Sequence, residues 1–293
     1  MMENVFLPRL GKIVKNEKMT AIERYLRVEL LDKKFAEGFD YKPGQFVEIN
    51  VMGVGEAPIT ICSMDNPRDC IDLCVRNVGR VTSAVTQMGE GSLIGVRGPY
   101  GNGFPMEKME GSSLLLVAGG LGVAPLRTAL QYALKKRSKY RGITFFYGIR
   151  SYDTMLFRDE FTSLLGEGER QGCMFYLSHD DPADKQCLAL DAEYSDRCMC
   201  GVVTKLFERI ELSPKDTYAL VCGPPIMYKF VMRELMRKSV PPEKIYMSLE
   251  RRMRCGLGKC GNCIIGDGTS IKYVCKDGPV FTYWDALLTK GML

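Results

Sequence analysis

A single histidine, His179, stands in 293 residues, so a zinc site of mixed histidine and cysteine ligands has almost nothing to draw on. No apolar run approaches the roughly 20 residues that span a bilayer, and Met1 to Arg9 holds no basic stretch followed by a long apolar core. Membrane insertion is therefore not expected, and the chain is expected in the cytoplasm. Long blocks of one charge are missing as well. A net charge of +5 is modest for this length and the basic residues are dispersed, which argues against a nucleic-acid partner. No internal repeat or low-complexity tract is present.

What is present is the balance of an ordinary globular protein, 46% apolar and 26% charged, with length for two domains and an appendage. Twelve cysteines are many for a reducing compartment, where such enrichment points to metal or redox chemistry more than to disulfides. Four stand close together, Cys255, Cys260, Cys263 and Cys275; the others are scattered.

From Gly11 to Arg97 short apolar or alternating runs are broken by turn residues: Tyr25 to Leu31, Gln45 to Val51, Ile59 to Ser63, Ile71 to Val75 and Ser92 to Val96. This predicts an antiparallel β-barrel or sandwich over 1–110. Beyond Gly111 strand-like runs alternate with helical ones: Ser113 to Ala118 before Ala124 to Lys136, Ile143 to Tyr147 before Phe157 to Leu165, then Met174 to Leu177, and Thr217 to Val221 before Pro225 to Arg237. That alternation predicts an α/β domain with a parallel sheet over 111–247, whose ligands sit at the carboxyl ends of the strands. The Gly- and Cys-rich stretch 248–293 reads as a small appended unit.

The spacing C-x4-C-x2-C at Cys255, Cys260 and Cys263, with Cys275 further on, is the spacing with which plant-type ferredoxins hold a 2Fe-2S cluster. The intervening glycines let the backbone fold tightly and aim amides at the sulfurs. A structural zinc site of four cysteines is the alternative, although zinc ribbons favour paired C-x2-C units.

Two further turns lie at strand ends. Gly119, Gly120 and Gly122, followed by Pro125, join a buried strand to a helix, where bare backbone can approach a diphosphate at the helix N-terminus. The pattern is not G-x-G-x-x-G. Cys222-Gly223-Pro224-Pro225-Ile226-Met227 ends another strand on the same sheet edge, so the Cys222 thiol could lie beside a nicotinamide; packing alone would also explain a small buried cysteine there. In the barrel half, Gly79 with the hydroxyls of Thr82 and Ser83 forms a helix start able to hold a phosphate, or a plain cap.

Together these pieces resemble the ferredoxin-NADP reductase superfamily, and more narrowly the gamma subunits of sulfhydrogenases and the B subunit of anaerobic sulfite reductase, with the electron-transfer subunit of dihydroorotate dehydrogenase as a more distant relative. The stretches that carry the resemblance are Val54 to Thr60, Arg97 to Pro105, Cys222 to Tyr228 and Leu249 to Cys255 onward to Phe281. It implies an antiparallel β-barrel FAD domain, an α/β parallel-sheet nucleotide-binding domain and a small C-terminal 2Fe-2S unit. It also implies that Ala57, Pro58, Ile59 and Thr60 lie along the flavin ring, with the Thr60 hydroxyl near N5, and that Val75, Arg76, Gly79, Val81, Thr82 and Ser83 hold the ribityl and pyrophosphate. By the same resemblance Gly119, Gly120, Gly122, Pro125, Cys222, Gly223 and Met227 form the NAD(P)H site and the four clustered cysteines hold the 2Fe-2S cluster. Arg150, after the second α/β strand, is a candidate to bind the 2'-phosphate that distinguishes NADPH, or equally a solvent-facing arginine. One departure stands out. The superfamily commonly has an arginine and an aromatic where this chain has Ala57 and Ile59, so a positive charge for the pyrophosphate must come from elsewhere, with Arg76 and Arg80 as candidates.

The implied activity is that of an electron-transfer subunit of a multi-subunit oxidoreductase: hydride passes between NAD(P)H and FAD, and single electrons pass through the cluster to or from a partner of hydrogenase or sulfite reductase type. Thr60 and Cys222 are the residues expected at the hydride step. Arg251, Arg252 and Arg254, just before the first cluster ligand, are candidates for docking an acidic partner or raising the cluster potential, or form a plain solvated basic turn. Two alternatives are a dihydroorotate dehydrogenase electron-transfer subunit and a non-catalytic redox-sensing module.

Overall fold

The computed structural model describes residues 4–67, 69–268 and 270–293, which divide into two compact units, 1–104 with 249–280 and 105–248 with 281–293. The first unit is built on six antiparallel strands: β1 (Arg9–Lys18), β2 (Glu23–Leu30), β3 (Phe46–Val51), β4 (Gly55–Thr60), β5 (Cys70–Arg76) and β6 (Leu93–Tyr100), in the order β4-β3-β6-β1-β2-β5. The two ends of this sheet are joined just past β4, where Ile61 bridges Leu73 and the Cys62 amide donates to the Asp72 carbonyl. A barrel results, as the alternating runs predicted. Its core is aliphatic, with Ile13, Leu26, Val28, Val47, Ile49, Ile71, Leu73 and Val96 almost fully buried. Two helices accompany the strands, α1 (Lys33–Glu37), capped by the Asp32 carboxylate on the Phe35 amide, and α2 (Arg80–Gln87).

β4 begins four residues earlier than the apolar run Ile59 to Ser63 suggested. Its ladder with β3 pairs Ile49 with Ala57, Glu48 with Pro58, Val47 with Ile59 and Phe46 with Thr60. Proline lacks the amide a central strand would need, and it is accommodated because β4 ends the sheet order.

The second unit holds β7 (Ser113–Gly119), α3 (Val123–Lys135), β8 (Ile143–Ile149), α4 (Arg158–Glu167), β9 (Met174–His179), α5 (Lys185–Glu193), β10 (Cys198–Cys200), β11 (Thr217–Cys222), α6 (Pro225–Arg237) and β12 (Ile245–Ser248). These six strands are parallel in the order β10-β9-β8-β7-β11-β12. β7 and β11 are buried along almost their whole length, as expected of parallel strands covered on both faces. Proline opens α6 at its first position, where the missing amide costs no helical bond. The chain runs outward from β7 through β10 and then returns to the other side of β7 as β11. The order therefore reverses between β7 and β11, and in open α/β sheets the crevice beyond the strand ends at such a reversal is where ligands bind.

Segment 249–280 packs within the barrel unit. Its two short strands, β13 (Ile264–Ile265) and β14 (Lys272–Tyr273), pair antiparallel, and α7 (Val274–Asp277) follows. Asn102 anchors the segment: its side-chain amide donates to the carbonyls of Asp277 at 3.0 Å and Val280 at 2.7 Å, and its backbone amide donates to Gly278. The final stretch, with α8 (Tyr283–Leu288), belongs to the second unit. Among the described residues no helix is long and apolar enough to cross a membrane.

Candidate functional site

In the barrel unit every residue of β4 is only partly buried, unlike the inward-packed strands beside it. Ala57, Pro58, Ile59 and Thr60 thus form a small, half-exposed ledge that carries apolar groups and a hydroxyl. Val75 is fully buried in the core, so only its backbone can meet a ligand. Arg76 donates from Nε to Glu23 Oε1 at 2.6 Å, and Arg80 donates to the Val54 carbonyl at 2.7 Å, against the start of β4. Both candidate cations are engaged within the barrel, Arg80 on the β4 side. The Thr82 hydroxyl accepts from the Gly79 amide at 2.9 Å and the Ser83 hydroxyl donates to Asn77 at 2.6 Å. These hydroxyls close the turn before α2, and Val81 lies partly buried on the same first turn.

In the second unit the two turns at the sheet reversal touch backbone to backbone. A Cβ at Gly122 would lie 2.2 Å from the Cys222 carbonyl oxygen and 2.7 Å from the Gly223 nitrogen. At Gly119 it would meet Met227 Sδ at 2.6 Å, and at Gly223 the Met227 methyl at 2.4 Å. Gly122 is thus required by this backbone approach, while at Gly119 and Gly223 the space is filled by the flexible end of Met227. Gly120 takes a left-handed conformation, φ 51°, which suits glycine. Pro125 is buried in the first turn of α3. The Cys222 thiol, 4% exposed, donates to the Ser248 carbonyl at 3.7 Å, an oxygen that also accepts from the Tyr228 hydroxyl. Arg150 is exposed at the end of β8, and the exposed Asp180 at the end of β9 is close enough to feel its charge.

The four clustered cysteines come together through tight turns at Gly256, Gly258 and Gly261, all at φ near +70°, where a side chain would be strained. Amides of Leu257 and Lys259 donate to Cys255 Sγ at 3.4 Å each, and Gly258 donates to Cys275 Sγ at 3.1 Å. Burial disfavours ionisation of Cys255, but these amides and that of Cys260 outweigh it and bring its pKa down to about 6. Cys275 is pushed the other way, to about 12, by burial and by a hydrogen bond shared with Cys263. The Cys255 thiol interacts with Cys260, and Cys275 interacts with both Cys263 and Cys255. Among the described residues no three His, Cys, Asp or Glu side chains are arranged to hold a single metal ion. The C-x4-C-x2-C step and the amides aimed at the sulfurs of Cys255 and Cys275 fit an iron-sulfur centre. Cys260 is exposed, while Cys263 and Cys275 are buried.

All twelve cysteines are free. Burial pushes Cys173 and Cys187 up to about 12 and Cys70 to about 11, which disfavours the reactive thiolate at each. Sequence reasoning gave no role to Glu48, Glu56 and Arg97, which the barrel gathers beside the Cys255 loop. The available signal was a pair of charged residues, Glu48 and Arg97, each inside an otherwise apolar strand pattern.

A family model for an oxidoreductase FAD-binding domain matches residues 11–104, one for an oxidoreductase NAD-binding domain matches 116–233, and one for the iron-sulfur cluster binding domain of dihydroorotate dehydrogenase B matches 250–286. The chain is 51% identical to the sulfhydrogenase 2 subunit gamma of Pyrococcus furiosus, over 97% of either chain. It is 41% identical to the sulfhydrogenase 1 subunit gamma of the same organism, over 99% of this chain and 96% of that one. A solved structure of an NADH-dependent reduced ferredoxin-NADP oxidoreductase, described for flavin-based electron bifurcation, aligns with a TM-score of 0.73 and 28% identity over 98% of this chain and 93% of its own.

Proposed function

Because this chain belongs to the family of the sulfhydrogenase gamma subunits, within the ferredoxin-NADP reductase superfamily, we propose that it links NAD(P)H to a hydrogenase-type or sulfite reductase-type partner through FAD and a 2Fe-2S cluster. It is an electron-transfer subunit of a multi-subunit oxidoreductase, with FAD-binding, NAD-binding and iron-sulfur domains. A flavin accepts a hydride and passes electrons on singly, the conversion needed between a nicotinamide and one-electron carriers.

The chain's own residues supply position. Ala57, Pro58 and Ile59 take the ring on the β4 ledge, and the Thr60 hydroxyl is the hydrogen-bonding group beside it. The turn at Gly79, with Arg76, Val81, Thr82, Ser83 and the Val75 backbone, takes the ribityl and pyrophosphate, with Arg80 as the nearest cation at the start of β4. Gly119, Gly120, Gly122, Pro125, Gly223 and Met227 shape the nucleotide crevice, where the buried Cys222 thiol is held on the Ser248 carbonyl. Cys255, Cys260, Cys263 and Cys275 hold the iron. The observation that carries the reading is the glycine-turned loop whose backbone amides donate to the sulfurs of Cys255 and Cys275.

Cys260, Lys259, Arg251, Arg252 and Arg254 are all exposed, which supports an acidic partner at this edge. The free state of every cysteine supports a reducing cytoplasm. Protein purified without oxygen should carry about two irons per FAD, as a 2Fe-2S centre requires, and its flavin absorbance should bleach on addition of NADH or NADPH. Zinc in place of iron, or a colourless protein, would end the proposal.

A further inference from the structure

Arg97 is 4% exposed, and its guanidinium is spent on three different parts of the barrel unit. Nε and Nη2 donate to the two carboxylate oxygens of Glu56 at 2.8 and 2.7 Å, a bidentate pair. Nη1 donates to the Tyr100 hydroxyl at 2.9 Å and to the Cys255 carbonyl oxygen at 3.2 Å. Glu56 lies on β4, directly before Ala57, and Cys255 is the first of the four clustered cysteines. One buried cation therefore ties the strand assigned to the flavin ring to the backbone of an iron ligand. Tyr100 packs on the same loop, since a Cβ at Gly256 would sit 2.8 Å from its ring.

A buried ion pair is a poor source of net stability, because desolvation offsets most of its attraction. Its value lies in geometry, and a planar bidentate guanidinium fixes both partners in a way a lysine cannot. Positive charge at the ligand's peptide also favours the more negative, reduced form of an iron-sulfur centre. We propose that Arg97 is a positioning residue, which with Glu56 sets both the place of the Cys255 loop against the flavin strand and the reduction potential of the cluster. This rests on the cofactor assignment above.

The test compares the native protein with Arg97→Lys, Arg97→Met and the double variant Glu56→Gln/Arg97→Met. The readouts are iron and FAD content, and separate potentiometric titrations of the cluster by electron paramagnetic resonance and of the flavin by absorbance. Arg97→Met should make the cluster harder to reduce, by about tenfold in the equilibrium constant, the worth of one charge-assisted hydrogen bond, while the flavin potential moves less. Arg97→Lys should restore most of the potential but leave an altered cluster spectrum, because the charge returns without the fork. Should Arg97→Met lose iron yet keep FAD, and the double variant or Arg97→Lys regain iron with a shifted cluster potential, the proposal also stands. Native potential and spectrum in fully loaded Arg97→Met would overturn it. So would loss of FAD and iron together in all three variants, which would make Arg97 a brace of the barrel and nothing more. A native protein that holds neither cofactor would instead sink the cofactor assignment.

Discussion

Gly122 and Cys222 approach so closely that the carbonyl oxygen of Cys222 stands 2.2 Å from where a Cβ of residue 122 would be. The two turns at the sheet reversal are held at backbone contact distance, and no rotamer can relieve an added methyl because the obstructing atoms are backbone. Gly122→Ala is therefore expected to destabilise the second unit by about 1–3 kcal/mol, the usual cost of overpacking. It should also weaken NAD(P)H-dependent bleaching while iron and FAD stay bound. Thermal melting with the bleaching assay checks this, and unchanged values of both would show that the turns can separate at no cost.

Glu48 is fully buried on β3, and neither carboxylate oxygen has a hydrogen-bond partner. Burial raises its pKa from 4.5 to about 8, against the lowering influence of Arg97 and with further raising by Glu56 and Cys255. Below about pH 4.5 the group is protonated folded and unfolded, so it adds no pH dependence. Between pH 4.5 and about 8 the unfolded chain releases the proton that the folded one retains, and stability falls as pH rises; above 8 the full penalty is in place. Glu48→Gln should thus melt close to the native protein at pH 5 and clearly above it at pH 9, by a margin on the order of a few kcal/mol. A gain at pH 5 that shrinks towards pH 9 would contradict the assignment.

Arg150 and Asp180 follow the ends of neighbouring strands of the nucleotide-binding unit, and Asp180 feels the charge of Arg150. If Arg150 serves a 2'-phosphate, Arg150→Ala should lower kcat/KM for NADPH about tenfold or more, the size of a charge-assisted hydrogen bond, and leave NADH nearly unchanged. Equal losses with both nucleotides would remove Arg150 from the specificity site.

Arg251, Arg252 and Arg254 stand exposed before Cys255. Reversing all three to glutamate should slow association with the electron-accepting subunit most at low salt, with the difference fading as salt screens the charges. Association rates at two ionic strengths decide this; rates equal to native at low salt would place the docking surface elsewhere.

Much of this architecture could be read directly from residue order. β7, the glycine turn and α3 were legible because a parallel strand buried on both faces is a continuous apolar run. β1 was not, since Arg9–Lys18 is mostly charged and polar and becomes a strand through pairing with β2 and β6. β10 was too short to show a period, and β4 was displaced because Pro58 masks a strand that only an edge position permits. The cysteine spacing announced a redox centre by itself, because ligand reach along a short glycine-rich loop is a local property.

Residue order alone thus determined which chemical modules this chain carries: a barrel, a nucleotide-binding sheet and a four-cysteine loop, each encoded in nearest-neighbour pattern and turn chemistry. Only the tertiary structure decided which distant residues meet. It set Cys255 against Arg97 and Glu56 and pressed Gly122 onto Cys222. Such pairings arise from strand order and register, and no local pattern contains them because the partners lie 158 and 100 residues apart.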